Sequence, residues 1–166
     1  GKTQEVEKRT KVKARVISHA LEELIQKSEN VIIMGHTNTD IDCIGSALGI
    51  YRLARSLDKE AYIVNTTSGL SIDSFIETLK KEDEYKNIFV NKSEALNQIS
   101  EETLLVVVDT NKNNYVEVPE LLDKTNKIVV IDHHRKSPDF IENTILTFHE
   151  VYASSAAELV TEILQY

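Results

Sequence analysis

The apolar residues of this chain fall into short continuous runs separated by stretches with helical spacing. The strongest runs are rich in branched residues and do not alternate with polar positions, which is typical of strands buried on both faces of a parallel sheet. Strands are therefore predicted at residues 31–34, 61–64, 104–108 and 127–131, with shorter ones at 88–90 and 146–151.

Between these runs, apolar residues recur every three or four positions, which predicts helices. The predicted helical segments are 42–57, 72–81, 93–99, a turn at 119–123 and a last helix that starts after Ser155. Ser155 and Glu158 have the spacing of a capping box. Gly45 and Gly49 are expected to let the helix 42–57 approach its sheet closely. The alternation predicts an α/β fold, a parallel β-sheet with helices on both faces.

A basic amphipathic segment precedes this region. Val12, Val16, Ala20 and Leu24 recur every four residues, with a second apolar set beside them, and predict a helix from about residue 10 to 28. Six of the first fifteen residues are Lys or Arg. The helix either joins the domain to a preceding region or packs as one of its own helices. We divide the chain into a basic linker helix at 1–29 and one domain at 30–166.

Composition and charge exclude several classes of protein. The single cysteine among 166 residues excludes a disulfide scaffold and a zinc site built from thiolates. No apolar run reaches the roughly 20 residues that cross a bilayer. The formal net charge of −8 argues against charge-driven binding to long nucleic acid.

Polar clusters follow three of the predicted strands. They are the segment 35–42 with His36, Asp40 and Asp42, the segment 109–111 with Asp109, and Asp132-His133-His134-Arg135. Ligands of open parallel sheets bind outside the carboxyl ends of the strands, so the clusters are expected to converge on one crevice. Carboxylates and imidazoles without cysteine suit Mn²⁺, Mg²⁺ or Fe²⁺ better than a structural zinc. The sequence therefore predicts a divalent metal site.

Each of these residues also has a structural interpretation when it is taken alone. Asp40 or Asp42 can cap the following helix, and Asp109 can make a hydrogen bond in a turn. Cys43 is interpreted as a small packed residue and not as a nucleophile. Only the combination of four carboxylates and three histidines at strand ends favours metal binding.

The motifs resemble those of the DHH phosphoesterases when they are taken in order. Gly-His-x-x-x-Asp-x-Asp begins at Gly35, a strand-end aspartate follows at Asp109, and Asp-His-His begins at Asp132. The segments 107–112, 130–135 and 152–162 look most like the bacterial cyclic-di-AMP phosphodiesterases, and the resemblance covers about residues 12–166. Thr39 and Asn111 depart from the pattern, since the family often has proline and histidine at these positions.

The resemblance implies a DHH-type, Rossmann-like fold that binds two divalent ions, foremost Mn²⁺, with Mg²⁺ or Fe²⁺ as alternatives. His36, Asp40 and Asp109 would hold the first ion. Asp42, Asp109 and His133 would hold the second, so that Asp109 bridges the two. Catalysis would involve Asp109 and His134, and the implied substrate contacts are His134, Arg135, Asn111, Ser154 and Ser155.

The resemblance also implies a function. The expected activity is that of a manganese-dependent phosphodiesterase, a hydrolase that opens cyclic di-AMP to the linear dinucleotide pApA with a water activated between two ions. In the family this domain is the cytoplasmic part of a bacterial membrane-anchored regulator. The alternatives are an oligoribonuclease or exonuclease for short linear nucleotides, and an inactive binding or dimerisation fragment. The partners considered are the cyclic dinucleotide, the accessory domain in cis and a second copy of the chain in a homodimer.

The ligand set of the second ion suggests a truncated fragment. Family members add another aspartate well beyond the Asp-His-His motif, but Asp139 is the last aspartate here and follows His133 too closely. No glycine follows Gly69, so the glycine-rich accessory domain, which acts in cis, is not in this sequence. We therefore expect weak binding of the second ion and impaired hydrolysis by this fragment.

Overall fold

Six strands form one sheet in a computed structural model that describes residues 2–66 and 70–166. Every strand pair in the described part of the chain is parallel, and the order across the sheet is β3-β2-β1-β4-β5-β6. The strands are β1 (Asn30–Met34), β2 (Ala61–Val64), β3 (Phe89–Val90), β4 (Thr103–Val108), β5 (Ile128–Asp132) and β6 (Leu146–His149). The predicted parallel sheet is confirmed.

Five helices connect or flank the strands. They are α1 (Lys2–Gln26), α2 (Ile41–Ser56), α3 (Leu70–Lys80), α4 (Lys92–Gln98) and α5 (Ala156–Leu164), and short 3₁₀ turns cover Asp83–Tyr85 and Pro119–Asp123. Most predicted ends agree to within two residues, but α1 begins eight residues earlier than the apolar spacing predicts. No helix in the described ranges is both long enough and apolar enough to cross a membrane.

The order of the strands in the sheet changes direction at the β1–β4 pair, although all strands stay parallel. β2 and β3 lie on one side of this pair, and β5 and β6 lie on the other. The register places Met34 beside Val107, so the two central strands end at nearly the same level. Chains that leave such neighbouring strands turn to opposite sides and open a crevice at the carboxyl edge, which is where ligands bind in this topology.

Helices cover both faces of the sheet, as the unbroken apolar runs predict. Alternate strand residues such as Ile33 and Val106 pack with α1, α2 and α5. Their neighbours Ile32 and Leu105 pack on the other face with α4 and the Pro119–Asp123 turn. All residues of β1, β4 and β5 are buried because each face is covered. The rigid strand ends therefore support the loops that follow them.

Only the second half of α1 packs into this core. The buried stripe consists of Ala14, Ile17, Leu21 and Ile25, whereas Val12 and Val16 are 61% and 64% exposed. Lys13 forms an ion pair of 2.7 Å with the buried carboxylate of Glu150, which also attaches α1 to the segment between β6 and α5. The linker role of residues 1–29 stays a prediction, and residue 1 lies outside the described residues.

The two glycines of α2 do not lie against the sheet, so that prediction is wrong. A Cβ atom at Gly49 would lie 2.4 Å from Cγ1 of Val160, because α2 and α5 cross closely at this point. A Cβ atom at Gly45 would meet no described atom within 4 Å. Gly49 therefore sets the approach of α5, whereas Gly45 faces open space.

This difference predicts opposite effects of the same substitution. Gly45→Ala should raise the free energy of unfolding by about 0.5–1 kcal/mol, because alanine is the better residue in a helix interior. Gly49→Ala should lower it, since overpacking costs about 1–3 kcal/mol and exceeds the helical gain. Urea denaturation of both variants measures the two changes.

Val160→Ala provides the control for the contact. In a double-mutant cycle, Gly49→Ala should cost less in the Val160→Ala background, because the clashing methyl group is gone. Equal stabilisation by both glycine substitutions would contradict the close crossing of α2 and α5.

Candidate metal centre

The three polar clusters meet at the carboxyl edge of the sheet, as predicted. His36 follows β1, Asp109 follows β4, and His133 follows Asp132 at the end of β5. Asp109 lies between the two histidines: its Oδ2 is 3.0 Å from Nε2 of His36, and its Oδ1 is 3.4 Å from Nε2 of His133. One carboxylate on the central strand thus faces ligand candidates from both neighbouring strands.

The Asp109 carboxylate is buried and incompletely satisfied. The residue is 2% exposed, and its Oδ1 accepts no hydrogen bond from any residue in the described ranges. A buried polar atom without a partner is costly, and a carboxylate oxygen more so. Its φ of 64° places the backbone in the left-handed region, where aspartate and asparagine are tolerated better than most residues. Carboxylate and imidazole donors around this oxygen fit a divalent cation.

The charges around Asp109 also favour a bound cation. Burial, followed by the nearby carboxylates of Asp42 and Asp40, raises its pKa, although its hydrogen bond with His36 acts against this. The same hydrogen bond to Asp109 raises the pKa of His36 to about 9. The free site therefore retains a proton on His36 that offsets the carboxylate charge, and a bound cation would take over this role.

Asp40 has two roles that the sequence left open, as a helix cap and as a ligand candidate. It caps α2, because its Oδ1 accepts a hydrogen bond of 2.9 Å from the Cys43 amide. Its Oδ2 lies 3.8 Å from Nε2 of His36, the atom that also faces Asp109. Nε2 of His36 therefore lies within 4 Å of both other predicted ligands of the first ion, Asp40 and Asp109.

Asp42 does not cap its own helix but contacts the start of α5. Its Oδ1 accepts a hydrogen bond of 2.8 Å from the Ala157 amide, and its Oδ2 accepts one of 3.1 Å from the Ala156 amide. A negative charge is favourable at a helix amino terminus. Oδ2 also lies 3.7 Å from Nε2 of His133. Nε2 of His133 therefore lies within 4 Å of both other predicted ligands of the second ion, Asp42 and Asp109.

Asp132 organises the loop that carries the paired histidines, whereas the sequence analysis counted it in the third polar cluster without assigning it a role. It is fully buried and accepts hydrogen bonds of 2.6 Å from Nδ1 of His134 and 2.7 Å from Nδ2 of Asn111. Its position at a strand end, directly before two histidines, was a usable signal. Asp132 thus orients the His134 ring, and one ligand atom each of Asp109, His133 and His134 lies within 4.8 Å of the others.

Asn111, a predicted substrate contact, uses its amide group within this loop. Besides Asp132, its Nδ2 donates to the carbonyl oxygen of Arg135 at 3.1 Å, and its Oδ1 accepts from the Ser137 amide at 2.9 Å. These contacts attach the loop after β5 to the loop after β4. The structure therefore gives Asn111 a supporting position beside the cleft.

A cleft of about 320 Å³ opens over the ligand candidates, and its lining includes His36, Asp109, His134 and Arg135. Tyr115 also lines it and stacks on the His36 ring, with 5.3 Å between the ring centroids. No sequence pattern indicated Tyr115, because the contact depends on how the loop after β4 folds back. Arg135 is exposed at the cleft and can meet an anionic substrate.

Ser154 and Ser155 lie at the start of α5 and make capping contacts there. Ser155 Oγ accepts a hydrogen bond of 3.0 Å from the Glu158 amide, as the capping motif predicts. The return contact differs, since Glu158 Oε2 accepts from the amide and hydroxyl of Ser154 and not from the Ser155 amide. A role of the two serines in substrate binding stays a prediction.

The chain matches a protein family model and is similar in sequence to several known proteins. The family model described as "DHH family, N-terminal domain" matches residues 30–166. The chain is 48% identical over 168 residues to the cyclic-di-AMP phosphodiesterase GdpP of Bacillus subtilis, and 48% identical over 170 residues to the cyclic-di-AMP phosphodiesterase PdeA of Listeria monocytogenes. Each alignment covers 100% of this chain and 26% of the relative, so the chain spans about a quarter of their length.

More distant relatives share the region as well. The bifunctional oligoribonuclease and PAP phosphatase NrnA of Mycoplasma genitalium is 28% identical over 141 residues, with 84% of this chain and 40% of the relative covered. Among solved structures, an exopolyphosphatase-related protein from Bacteroides fragilis superimposes with a TM-score of 0.72 and is 21% identical in sequence. The match covers 90% of this chain and 43% of the chain of that protein. The structural likeness supports the fold.

The position of Asp109 predicts the effect of removing its charge. Asp109→Asn keeps a side chain that tolerates the left-handed backbone, but it lacks the charge that both ion positions would share. We expect the variant to lose both bound Mn²⁺ ions, measured by elemental analysis after gel filtration.

Asp58→Asn is the matched control for this substitution. Asp58 has the same left-handed backbone, with a φ of 60°, but it is exposed directly after α2, at the opposite edge of the sheet. It should retain wild-type metal content. Equal metal content in wild type and Asp109→Asn would contradict the bridging position.

The raised pKa of His36 predicts the pH dependence of metal binding. An ion at this site must displace the His36 proton, so Mn²⁺ affinity should rise by up to about tenfold per pH unit from pH 6.5 towards 9. Calorimetric titration at several pH values measures the slope. His36→Asn should bind more weakly and with a flatter profile, and identical slopes in the two proteins would rule out His36 as a ligand.

Proposed function

Because this chain belongs to the DHH family, we propose that it is a metal-dependent phosphodiesterase domain that opens cyclic di-AMP to pApA. Membership of the family confirms the resemblance that the three motifs predict. Support for the substrate comes from two relatives, each described as a cyclic-di-AMP phosphodiesterase and 48% identical across all of this chain. The structural observation that carries the proposal is the buried Asp109 carboxylate, which has an unsatisfied oxygen between two sets of metal-ligand candidates.

The donor set supports two divalent ions, with Mn²⁺ proposed as the native one. His36, Asp40 and Asp109 would hold the first ion, and Asp42, Asp109 and His133 the second. When bound, such ions supply Lewis acidity and lower the pKa of the attacking water. The majority of carboxylate oxygens among these donors suits Mn²⁺, and the absence of thiolates from both sets is compatible with it.

The second ion is expected to bind more weakly than the first. Both carboxylate oxygens of Asp42 already accept amide hydrogen bonds from the start of α5. An ion at this position must share these oxygens, whereas Asp40 retains Oδ2 towards the first position. Partial occupancy of the second position would limit turnover, in line with the impaired hydrolysis expected from the sequence.

His134 and Arg135 are proposed to bind the reacting phosphoryl group. Asp132 holds Nδ1 of His134, so Nε2 is the nitrogen left to contact the substrate. In its protonated form, His134 donates from Nε2 to a phosphoryl oxygen and stabilises the negative charge that develops there. Arg135 adds a permanent positive charge on the same side of the cleft, suited to phosphate recognition.

A comparison of substrates tests the proposed function. With Mn²⁺ present, the chain should convert cyclic di-AMP to pApA, and kcat/KM for cyclic di-AMP should exceed that for linear pApA and other short oligonucleotides. Product formation is followed by ion-exchange chromatography. Faster cleavage of the linear dinucleotides would favour the oligoribonuclease alternative, and no hydrolysis of any of them would favour a binding role.

The buried contact of Asp132 predicts a catalytic effect separable from metal binding. Asp132→Asn should lower kcat by about a hundredfold or more, because the amide no longer enforces the His134 orientation, as in hydrolases that orient a histidine with an aspartate. Its Mn²⁺ content should stay at the wild-type level.

Asp123→Asn controls for the loss of one aspartate. Asp123 is exposed in the turn that leads into the start of β5, at the opposite edge of the sheet, and the variant should retain wild-type kcat. A normal kcat in Asp132→Asn would contradict the proposed role of the Asp132–His134 contact.

A further inference from the structure

The loop between β1 and α2 carries two ligand candidates of the first ion and is held by a distant part of the chain. His36 and Asp40 stand at its two ends, and Asn38 between them has a left-handed backbone with a φ of 57°. Such a conformation is uncommon for residues other than glycine, and it persists where the surroundings hold it. The contacts that hold this loop come from residues 115–117, which lie between β4 and β5.

Backbone hydrogen bonds fix the first half of the loop. The Thr37 amide donates to the carbonyl oxygen of Tyr115 at 2.8 Å, and the Glu117 amide donates to the carbonyl oxygen of Gly35 at 2.9 Å. Both bonds lie before Asn38 in the loop. They therefore hold the half that carries the imidazole ligand candidate.

The Glu117 side chain reaches the second half of the loop. Its Oε1 accepts a hydrogen bond of 2.7 Å from the hydroxyl of Thr39, the residue directly before Asp40. The same hydroxyl lies 3.3 Å from the His36 carbonyl oxygen, so the carboxylate is the nearer of these two acceptors. The other oxygen, Oε2, accepts a hydrogen bond of 3.2 Å from the Thr66 amide in the segment after β2. One half-buried carboxylate thus connects the chain after β1 with the chain after β2.

We propose that Glu117 is a positioning residue for the first ion, because its bond to Thr39 keeps the Asp40 carboxylate beside His36. Asp40 Oδ2 lies 3.8 Å from His36 Nε2, and this distance depends on the backbone that joins the two residues. Groups that hold metal ligands in place commonly account for a ten- to hundredfold part of metal affinity. The inference rests on the proposed first-ion position, but it does not depend on which nucleotide the domain cleaves.

A role in fold stability alone gives a different expectation. Loss of the carboxylate would then weaken both ion positions alike, or neither of them. The second position has its own support, because the Asp42 carboxylate is held by the first amides of α5. A positioning role of Glu117 therefore predicts that the first ion alone loses affinity.

The test measures Mn²⁺ affinity of the full chain by calorimetric titration, with the tighter step assigned to the first ion. Thr39→Val keeps the shape of the side chain without the hydroxyl, and Glu117→Ala removes the acceptor. Each should weaken the tighter step by about tenfold or more and change the weaker step by less than about threefold. Thr39→Ser retains the hydroxyl and should bind Mn²⁺ like the wild type.

The two groups should also act as one unit. The double variant Thr39→Val/Glu117→Ala should bind the first ion about as weakly as the weaker single variant, because either substitution removes the same bond. Thr78→Val is the matched control, since its exposed hydroxyl donates to the Ser74 carbonyl oxygen within α3. It should retain wild-type Mn²⁺ binding. Circular dichroism establishes that each variant is folded.

Several results would overturn the proposal. They are an unchanged tighter step in Thr39→Val and Glu117→Ala, equal weakening of both steps, fully additive losses in the double variant, and equal losses in Thr39→Ser and Thr39→Val. A wild-type chain that binds no Mn²⁺ would overturn it together with the first-ion position. Failure of the proposed hydrolase function is distinguishable from all of these, because a chain inactive on every nucleotide would still show the selective loss of Mn²⁺ affinity.

Discussion

The structure depends on one buried negative charge at the end of its central strand. Asp109 is enclosed by the loops that follow β1 and β5, and its left-handed backbone lies at the edge of the crevice between β1 and β4. A carboxylate in this position is tolerated only when positive charge stands close to it. His36 supplies part of this charge in the free protein, and the arrangement leaves one oxygen for a cation. The need to neutralise Asp109 thus explains why histidines surround it, whereas Asp40 and Asp42 add negative charge that a bound cation would offset.

Contacts with the neighbouring helices orient the acidic ligand candidates. Asp40 occupies the cap of α2, so the geometry that starts the helix also orients one ligand candidate. Asp42 is oriented by the first amides of α5, a helix from the far end of the chain. The Asp132 carboxylate and the Asn111 amide hold the loop after β5 in place. Asp40, Asp42 and His134 are therefore each positioned by a backbone group or a buried side chain, which lowers the entropic cost of collecting an ion.

The sheet and most of the site could be predicted because their signals are local. Unbroken branched runs mark strands that are covered on both faces, and polar residues directly after such runs mark the binding edge. What escaped prediction depends on contacts between distant segments. The apolar spacing cannot show that Gly49 faces Val160, or that Tyr115 folds back onto His36. The start of α1 was missed because its first turns are polar and lie outside the core.

The double contact of Asp42 with α5 restricts how this fold can vary. Surface loops usually accept insertions and deletions, since little depends on the position of their ends. The connection between β6 and α5 differs, because the amides of Ala156 and Ala157 must arrive at a fixed carboxylate. One residue added within the first turn of α5 would rotate the groups before and after it by about 100° relative to each other and withdraw one of these donors. The start of α5 is thereby tied to the same carboxylate that is proposed to hold the second ion.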